Sequence, residues 1–278
     1  MRLLLVLLFS VVACTPPAPG LRLETSAQPQ ETDAGVAASD AGTVASDAGA
    51  AVTDGGTADA GPGGSSLCGA PRPGLHDVTG TPSGPYLVHH PVRAGAVKHT
   101  IIFLPGGDGS KDISEQFIWP LWLENGRGVD DVRVVIPYTA DGDLGDEQDR
   151  IVAIAAEVLS CFGGDAAHVH LAGTSMGGLA AFETMKRNPA PFATLLGAPG
   201  AFRTGVTASD LSRMFTGKAV FVGVGELDEA LWKNPTVAID SRLTSLGYDS
   251  TYVEFRGQGH ILDASFDESV FFDFWLSH

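Results

Sequence analysis

The chain has 278 residues and a net charge of −16, with 17 lysines and arginines against 33 acids. That balance excludes nucleic acid and other anionic polymers as natural partners, because such ligands are held by clustered cations. Hydrophobic residues make up 44% of the whole, enough for a substantial core, but they are spread unevenly, and the first quarter does not read as folded sequence.

Residues 1–14 read M-R-L-L-L-V-L-L-F-S-V-V-A-C. Arg2 supplies a short positive start, and the apolar run at 3–12 is too short for a permanent membrane span. The run ends at Val11-Val12-Ala13-Cys14, which resembles the lipobox of bacterial lipoproteins. The resemblance implies cleavage before Cys14, lipidation of its sulfur and anchoring to a membrane of the cell envelope. Val11 replaces the usual leucine and Val12 is bulky, so an ordinary secretory signal is the alternative. Both readings export the chain.

Residues 15–66 are rich in Pro, Ala, Gly, Ser, Thr and Asp and contain no aromatic residue. D-A-G recurs at Asp33, Asp40, Asp47 and Asp59, with D-G-G at Asp54. The seven-residue step is no coiled-coil heptad, since no large apolar side chain occupies two positions per repeat. Such a segment buries too little apolar surface to offset its ordering entropy, and it is expected to be a disordered tether. A flexible chain of this length has a root-mean-square span of ~40 Å, room for a domain to stand clear of a membrane.

One folded domain is expected over 67–278, and strand and helix patterns alternate along it. Residues 86–89 read as a strand near a sheet edge, and 98–104 (K-H-T-I-I-F-L) as a buried parallel strand. A glycine-rich loop at 105–110 follows, then a short or broken helix at 113–123 interrupted by Pro120. Next come a strand at 132–136 and an amphipathic helix at 149–162. Further strands are expected at 169–172, 194–196, 219–224 and 251–255. Helices are expected from Gly177, at 237–246 (stopped by Gly247) and at 268–277. This alternation predicts an α/β fold, a mostly parallel sheet with helices on both faces, whose functional loops lie beyond the carboxyl ends of the strands. Cys68 and Cys161 remain in an exported domain, where a disulfide between them is a natural expectation.

The stretch Gly173-Thr174-Ser175-Met176-Gly177-Gly178 sits between a strand and a helix. A serine at the apex of so sharp a turn needs small neighbours two positions away on either side, and the following helix dipole favours developing negative charge beside it. Asp228 and His260 also follow strands, giving the chain order Ser, Asp, His. Serine is a weak nucleophile without a base; imidazole can take and return its proton; a carboxylate can hold the imidazole in one tautomer. Glu226 competes with Asp228 in the same loop. Asp240 falls inside a helix and Asp263 lies too close to His260 in sequence. Two backbone N–H groups would complete the site: that of Met176, and that of Gly107 with Asp108 as the alternative. His168 and His170 have a metal-like spacing without a local Cys or carboxylate partner, and no metal or cofactor is expected. The loop at 105–110 lacks the sequence of a nucleotide-binding loop.

Four blocks resemble exported serine esterases of the α/β-hydrolase superfamily, such as polyhydroxybutyrate depolymerases, feruloyl esterases and phospholipase/carboxylesterase-like proteins. They are L-P-G-G-D-G at 104–109, the G-T-S-M-G-G to G-A-P-G-A-F segment at 173–202, G-V-G-E-L-D-E at 223–229, and the block at 259–276 ending in Trp275-Leu276. The resemblance implies an α/β-hydrolase fold, hydrolysis of a small or polymeric ester through an acyl-enzyme on Ser175, and His260 just ahead of a terminal helix. Pro105 stands where many relatives have histidine. A peptidase of the same fold and an inactive surface-binding module on a hydrolase scaffold are the competing expectations. Trp119 and Trp122 are expected either in the core or along an acyl pocket.

Overall fold

The computed structural model describes residues 70–92, 97–126, 128–139 and 144–278. The leader at 1–14, the tether at 15–66, Cys14 and Cys68 lie outside the described residues. Among the described residues, no helix is long and apolar enough to cross a membrane.

Eight strands form one sheet: β1 (Gly74–Val78), β2 (Tyr86–His90), β3 (His99–Leu104), β4 (Val132–Pro137), β5 (Val169–Gly173), β6 (Thr194–Gly197), β7 (Ala219–Gly225) and β8 (Ser250–Phe255). Their order is β1-β2-β4-β3-β5-β6-β7-β8. β1 and β2 pair antiparallel, as do β2 and β4, and the strands from β4 to β8 run parallel. The chain leads α1 (Lys111–Ile113) directly into a π-helical stretch, Ser114–Leu123. It then forms α2 (Gln148–Phe162), α3 (Met176–Arg187), α4 (Ala208–Phe215), α5 (Ala230–Ser245) and α6 (Ser269–Leu276).

Both faces of the central strands are covered, which is why β3 reads as a continuous apolar run rather than an alternating one. Ile102 and Leu104 point into a core with Ile151, Ile154, Ala180 and Leu243 from α2, α3 and α5. Ile101 and Phe103 point the other way, against Trp119 and Trp122 of the π-helix and Phe272 and Trp275 of α6. Phe103 meets Trp275 edge-on at 6.4 Å, a favoured aromatic geometry.

Three differences from the sequence reading have local causes. β2 is buried at all five residues because β1, whose G-L-H-D-V lacks an apolar pattern, lies outside it as the true edge. α4 carries only three core residues, Leu211, Met214 and Phe215, but opens with a capping box in which Thr207 and Asp210 each bond the other's backbone N–H. α5 starts seven residues before the apolar period at 237 becomes visible, and Pro235 inside it hides that start. Cys161 is disulfide-bonded; Cys68, its expected partner, lies outside the described residues.

Candidate active site

Ser175 has φ 55° and ψ −123°, and it is the one non-glycine residue with positive φ among those described. A side chain in that region carries strain on the order of 1–3 kcal/mol and persists only where its surroundings impose it. Here Ser175 N donates to Pro199 O at 2.9 Å, and Ser175 O accepts from Leu179 N at 3.0 Å. The glycines are steric necessities. A Cβ on Gly177 would fall 2.2 Å from Leu104 O, and one on Gly173 would fall 2.3 Å from Gly177 O. The turn leaves Ser175 half-buried at the first turn of α3.

His260 reaches the serine from the loop after β8. Its Nε2 lies 2.8 Å from Ser175 Oγ, and its Nδ1 lies 3.1 Å from each carboxylate oxygen of Asp228. A carboxylate only accepts, so Nδ1 carries the proton and donates, leaving the Nε2 lone pair to accept from the serine hydroxyl. The Asp228 side chain is fully screened from solvent while that of His260 is 31% exposed. Asp228 Oδ1 also accepts from Glu229 N at 2.7 Å, which fixes the carboxylate plane.

The loops after β7 and β8 are fastened to each other. Glu226 N donates to Phe255 O at 2.9 Å, and Leu227 N donates to Gln258 O at 2.8 Å. A Cβ on Gly225 would lie 2.2 Å from Gly259 O, so that glycine is what lets the two loops touch. The rival acids are engaged elsewhere. Glu226 Oε2 accepts from Gly257 N at 2.8 Å, Asp240 Oδ1 accepts from Ser250 Oγ at 2.8 Å, and Asp263 Oδ1 accepts from Ser265 N at 2.7 Å.

The glycine-rich loop after β3 runs beside the serine. A Cβ on Gly106 would approach Ser175 Cβ to 3.1 Å, and Gly107 has φ +64°. Asp108 uses its side chain within the loop, where Oδ1 accepts from Ser110 N at 2.9 Å. Met176 opens α3, where backbone N–H groups have no intrahelical acceptor. His168 and His170 sit at the opposite end of β5. His170 Nε2 lies 3.0 Å from His99 Nδ1, and His168 Nδ1 lies 2.8 Å from Asp165 Oδ2. Among the described residues no group of three or more His, Cys, Asp or Glu side chains is arranged to hold a metal.

Two supporting residues, Gln258 and Trp232, escaped the sequence reading, and Trp122, expected in the core or along an acyl pocket, joins them. Buried Gln258 braces the histidine loop: its amide donates to Ser265 Oγ at 2.8 Å and to Asp263 Oδ1 at 3.2 Å, and it accepts from Asp263 N at 2.8 Å. Trp122 Nε1 donates to Leu262 O at 2.8 Å across 140 residues, so this tryptophan is core and also anchors that loop. Trp232 of α5 lays its ring 4.7 Å from the His260 ring. Gln258 carries a local signal, an amide between the glycines of the loop that bears His260. Trp232 carries none, and the bond from Trp122 to Leu262 has no local signal either.

No family model matches the chain, and no curated protein matches it in sequence. Solved structures match it in shape. A mutant of the feruloyl esterase module from Clostridium thermocellum, complexed with sinapinate, aligns with a TM-score of 0.57 at 16% identity, over 73% of this chain and 86% of that one. A fungal esterase from Rhizomucor miehei gives 0.56 at 14% identity, over 76% and 83%. S-formylglutathione hydrolase (FrmB) from Staphylococcus aureus gives 0.51 at 12% identity, over 73% and 97%. Likeness at such identities is a likeness of fold. Together with the strand order and the serine turn after β5, it gives this chain the α/β-hydrolase fold.

Proposed function

We propose that the chain is a serine hydrolase that cleaves carboxylic esters through an acyl-enzyme on Ser175. The observation that carries this reading is the continuous relay from Ser175 Oγ through His260 to the screened Asp228 carboxylate, at 2.8 and 3.1 Å. Its fold neighbours include esterases, which supports the same class of reaction. His260 Nε2 takes the serine proton as Oγ attacks the ester carbonyl. The N–H groups of Met176 and Gly107 receive the oxyanion, each worth about 3–4 kcal/mol of transition-state stabilisation. His260 then returns the proton to the leaving alcohol. Water, deprotonated by the same nitrogen, attacks the acyl-enzyme and releases the acid. The cycle draws on no cofactor.

The test is hydrolysis of a short-chain activated aryl ester by the purified chain and by Ser175→Ala. A fall of at least ~10³-fold in the variant is expected; equal rates in the two proteins would remove the serine mechanism. The proposed setting is the cell envelope, with the chain held by lipid on Cys14. Replacing Cys14 with serine should move the chain from the membrane fraction to the soluble one.

A further inference from the structure

Most large apolar side chains of the domain are buried, and single exposed ones need no explanation. Clustering does need one. Among the described residues seven large hydrophobics are exposed, and three of them adjoin, in the chain, the relay residues or the tryptophan packed on His260: Leu227 at 70%, Ile261 at 60% and Leu231 at 49%. Leu227 immediately precedes Asp228, Ile261 immediately follows His260, and Leu231 precedes Trp232, whose ring stands against His260.

These side chains are displayed on rigid supports. Leu227 N is bonded to Gln258 O at 2.8 Å, Trp232 N to Glu229 O at 2.9 Å, and Lys233 Nζ to Glu226 O at 3.1 Å. The peptide preceding Ile261 belongs to the loop braced by Gln258 and Trp122. Binding on such a surface orders little that is not already ordered, so the apolar area it covers counts more fully toward affinity. The neighbouring carboxylates Glu226 and Glu229 are exposed, which disfavours an anionic group there.

We propose that Leu227, Leu231 and Ile261, with Trp232, form an apolar rim that receives an uncharged hydrocarbon chain of the ester substrate and sets chain-length preference. This rests on the esterase reading above and deepens it by naming the substrate class: esters carrying an extended, uncharged apolar chain. Leu227 and Ile261 adjoin Asp228 and His260 in the chain, so contacts to them form as the carbonyl is presented to Ser175. The rim therefore acts on selectivity between esters through kcat/KM.

The test compares kcat/KM for p-nitrophenyl octanoate with that for p-nitrophenyl acetate, both below aggregation. The full chain is measured beside its Leu227→Ser/Leu231→Ser/Ile261→Ser variant. The ratio comes from one protein preparation and is insensitive to the folded fraction. Wild type should favour the longer ester, and the ratio should fall roughly tenfold in the variant, the scale of a buried side chain's worth of apolar contact. Leu246→Ser changes a comparably exposed leucine (47%) beyond the far end of α5 and should leave the ratio unchanged. An unaltered ratio in the triple variant, or an equal fall with Leu246→Ser, overturns the rim. Absence of turnover of both esters by wild type overturns the esterase reading, and the rim with it.

Discussion

Strand β5 carries a histidine at one end and delivers the serine met by another histidine at the other. His170, near its start, is wholly buried. Its ring nitrogens face neutral partners, His99 at 3.0 Å and Thr194 Oγ1 at 2.9 Å. Burial pushes His170 down to about 3, and it pushes His99, which also faces His168 and Lys98, down to about 4. One ring must keep a lone pair to accept while the other donates, and burial is what keeps both neutral. His260, beyond the end of β5, is partly open to solvent and has the Asp228 carboxylate on Nδ1. The same side chain is thus a fixed packing element at one end of the strand and, in the proposed mechanism, a proton carrier beyond the other. What separates them is one carboxylate and access to water, because desolvation without a counter-charge holds imidazole neutral.

The largest expected effect comes from removing that carboxylate's charge. Asp228→Asn keeps the size but loses the preference for the Nδ1–H tautomer, and kcat on an activated ester should fall on the order of 10³–10⁴-fold. The urea midpoint should move little by comparison. His170→Ala should do the reverse. It empties a buried ring site and leaves His99 Nδ1 and Thr194 Oγ1 without their partner, costing about 3 kcal/mol by urea unfolding. Activity per folded molecule should stay within about threefold of wild type. A variant at 170 that kept its stability and lost turnover would dissolve the contrast.

Acid should expose the same asymmetry more gently. Below pH 6.5 the unfolded chain takes up a proton on His170, whereas the folded chain does so only near pH 3. Stability from keeping this ring neutral is therefore complete above pH 6.5 and is lost progressively as pH falls toward 3. Between pH 7 and pH 5 the loss should be roughly 2 kcal/mol. His170→Asn should reduce the slope of urea-unfolding stability against pH by that share, leaving the shares of His99 and His90, and an unchanged slope would remove His170 as a source.

How far the site was legible follows the range of each constraint. The serine turn could be read directly, since Gly173, Ser175 and Gly177 answer a steric demand within five residues. β3 and β7 were legible because burial on both faces writes a continuous apolar run. The pairing of His99 with His170, 71 positions apart, and the bond from Trp122 to Leu262, 140 apart, arise only when strands and helices stack, and no local pattern encodes either. β1 was missed for a related reason: an edge strand half open to solvent has little need of apolar alternation.

The two acids of the loop after β7 give the finest version of the comparison. Glu226 and Asp228 are two residues apart; distance past the strand favours Asp228 and leaves Glu226 as its rival. The fold decides between them through backbone direction: Glu226 turns outward to accept Gly257 N at 2.8 Å, while Asp228 turns inward beneath His260. Glu226→Gln keeps an acceptor oxygen for Gly257 N and removes a charge from the surface, where a single substitution is usually worth less than ~0.5 kcal/mol. Its kcat/KM on a short neutral ester should therefore stay within about threefold of wild type. A loss approaching that of Asp228→Asn would mean that Glu226 swings under the imidazole during turnover, and the role of the acid would pass to it.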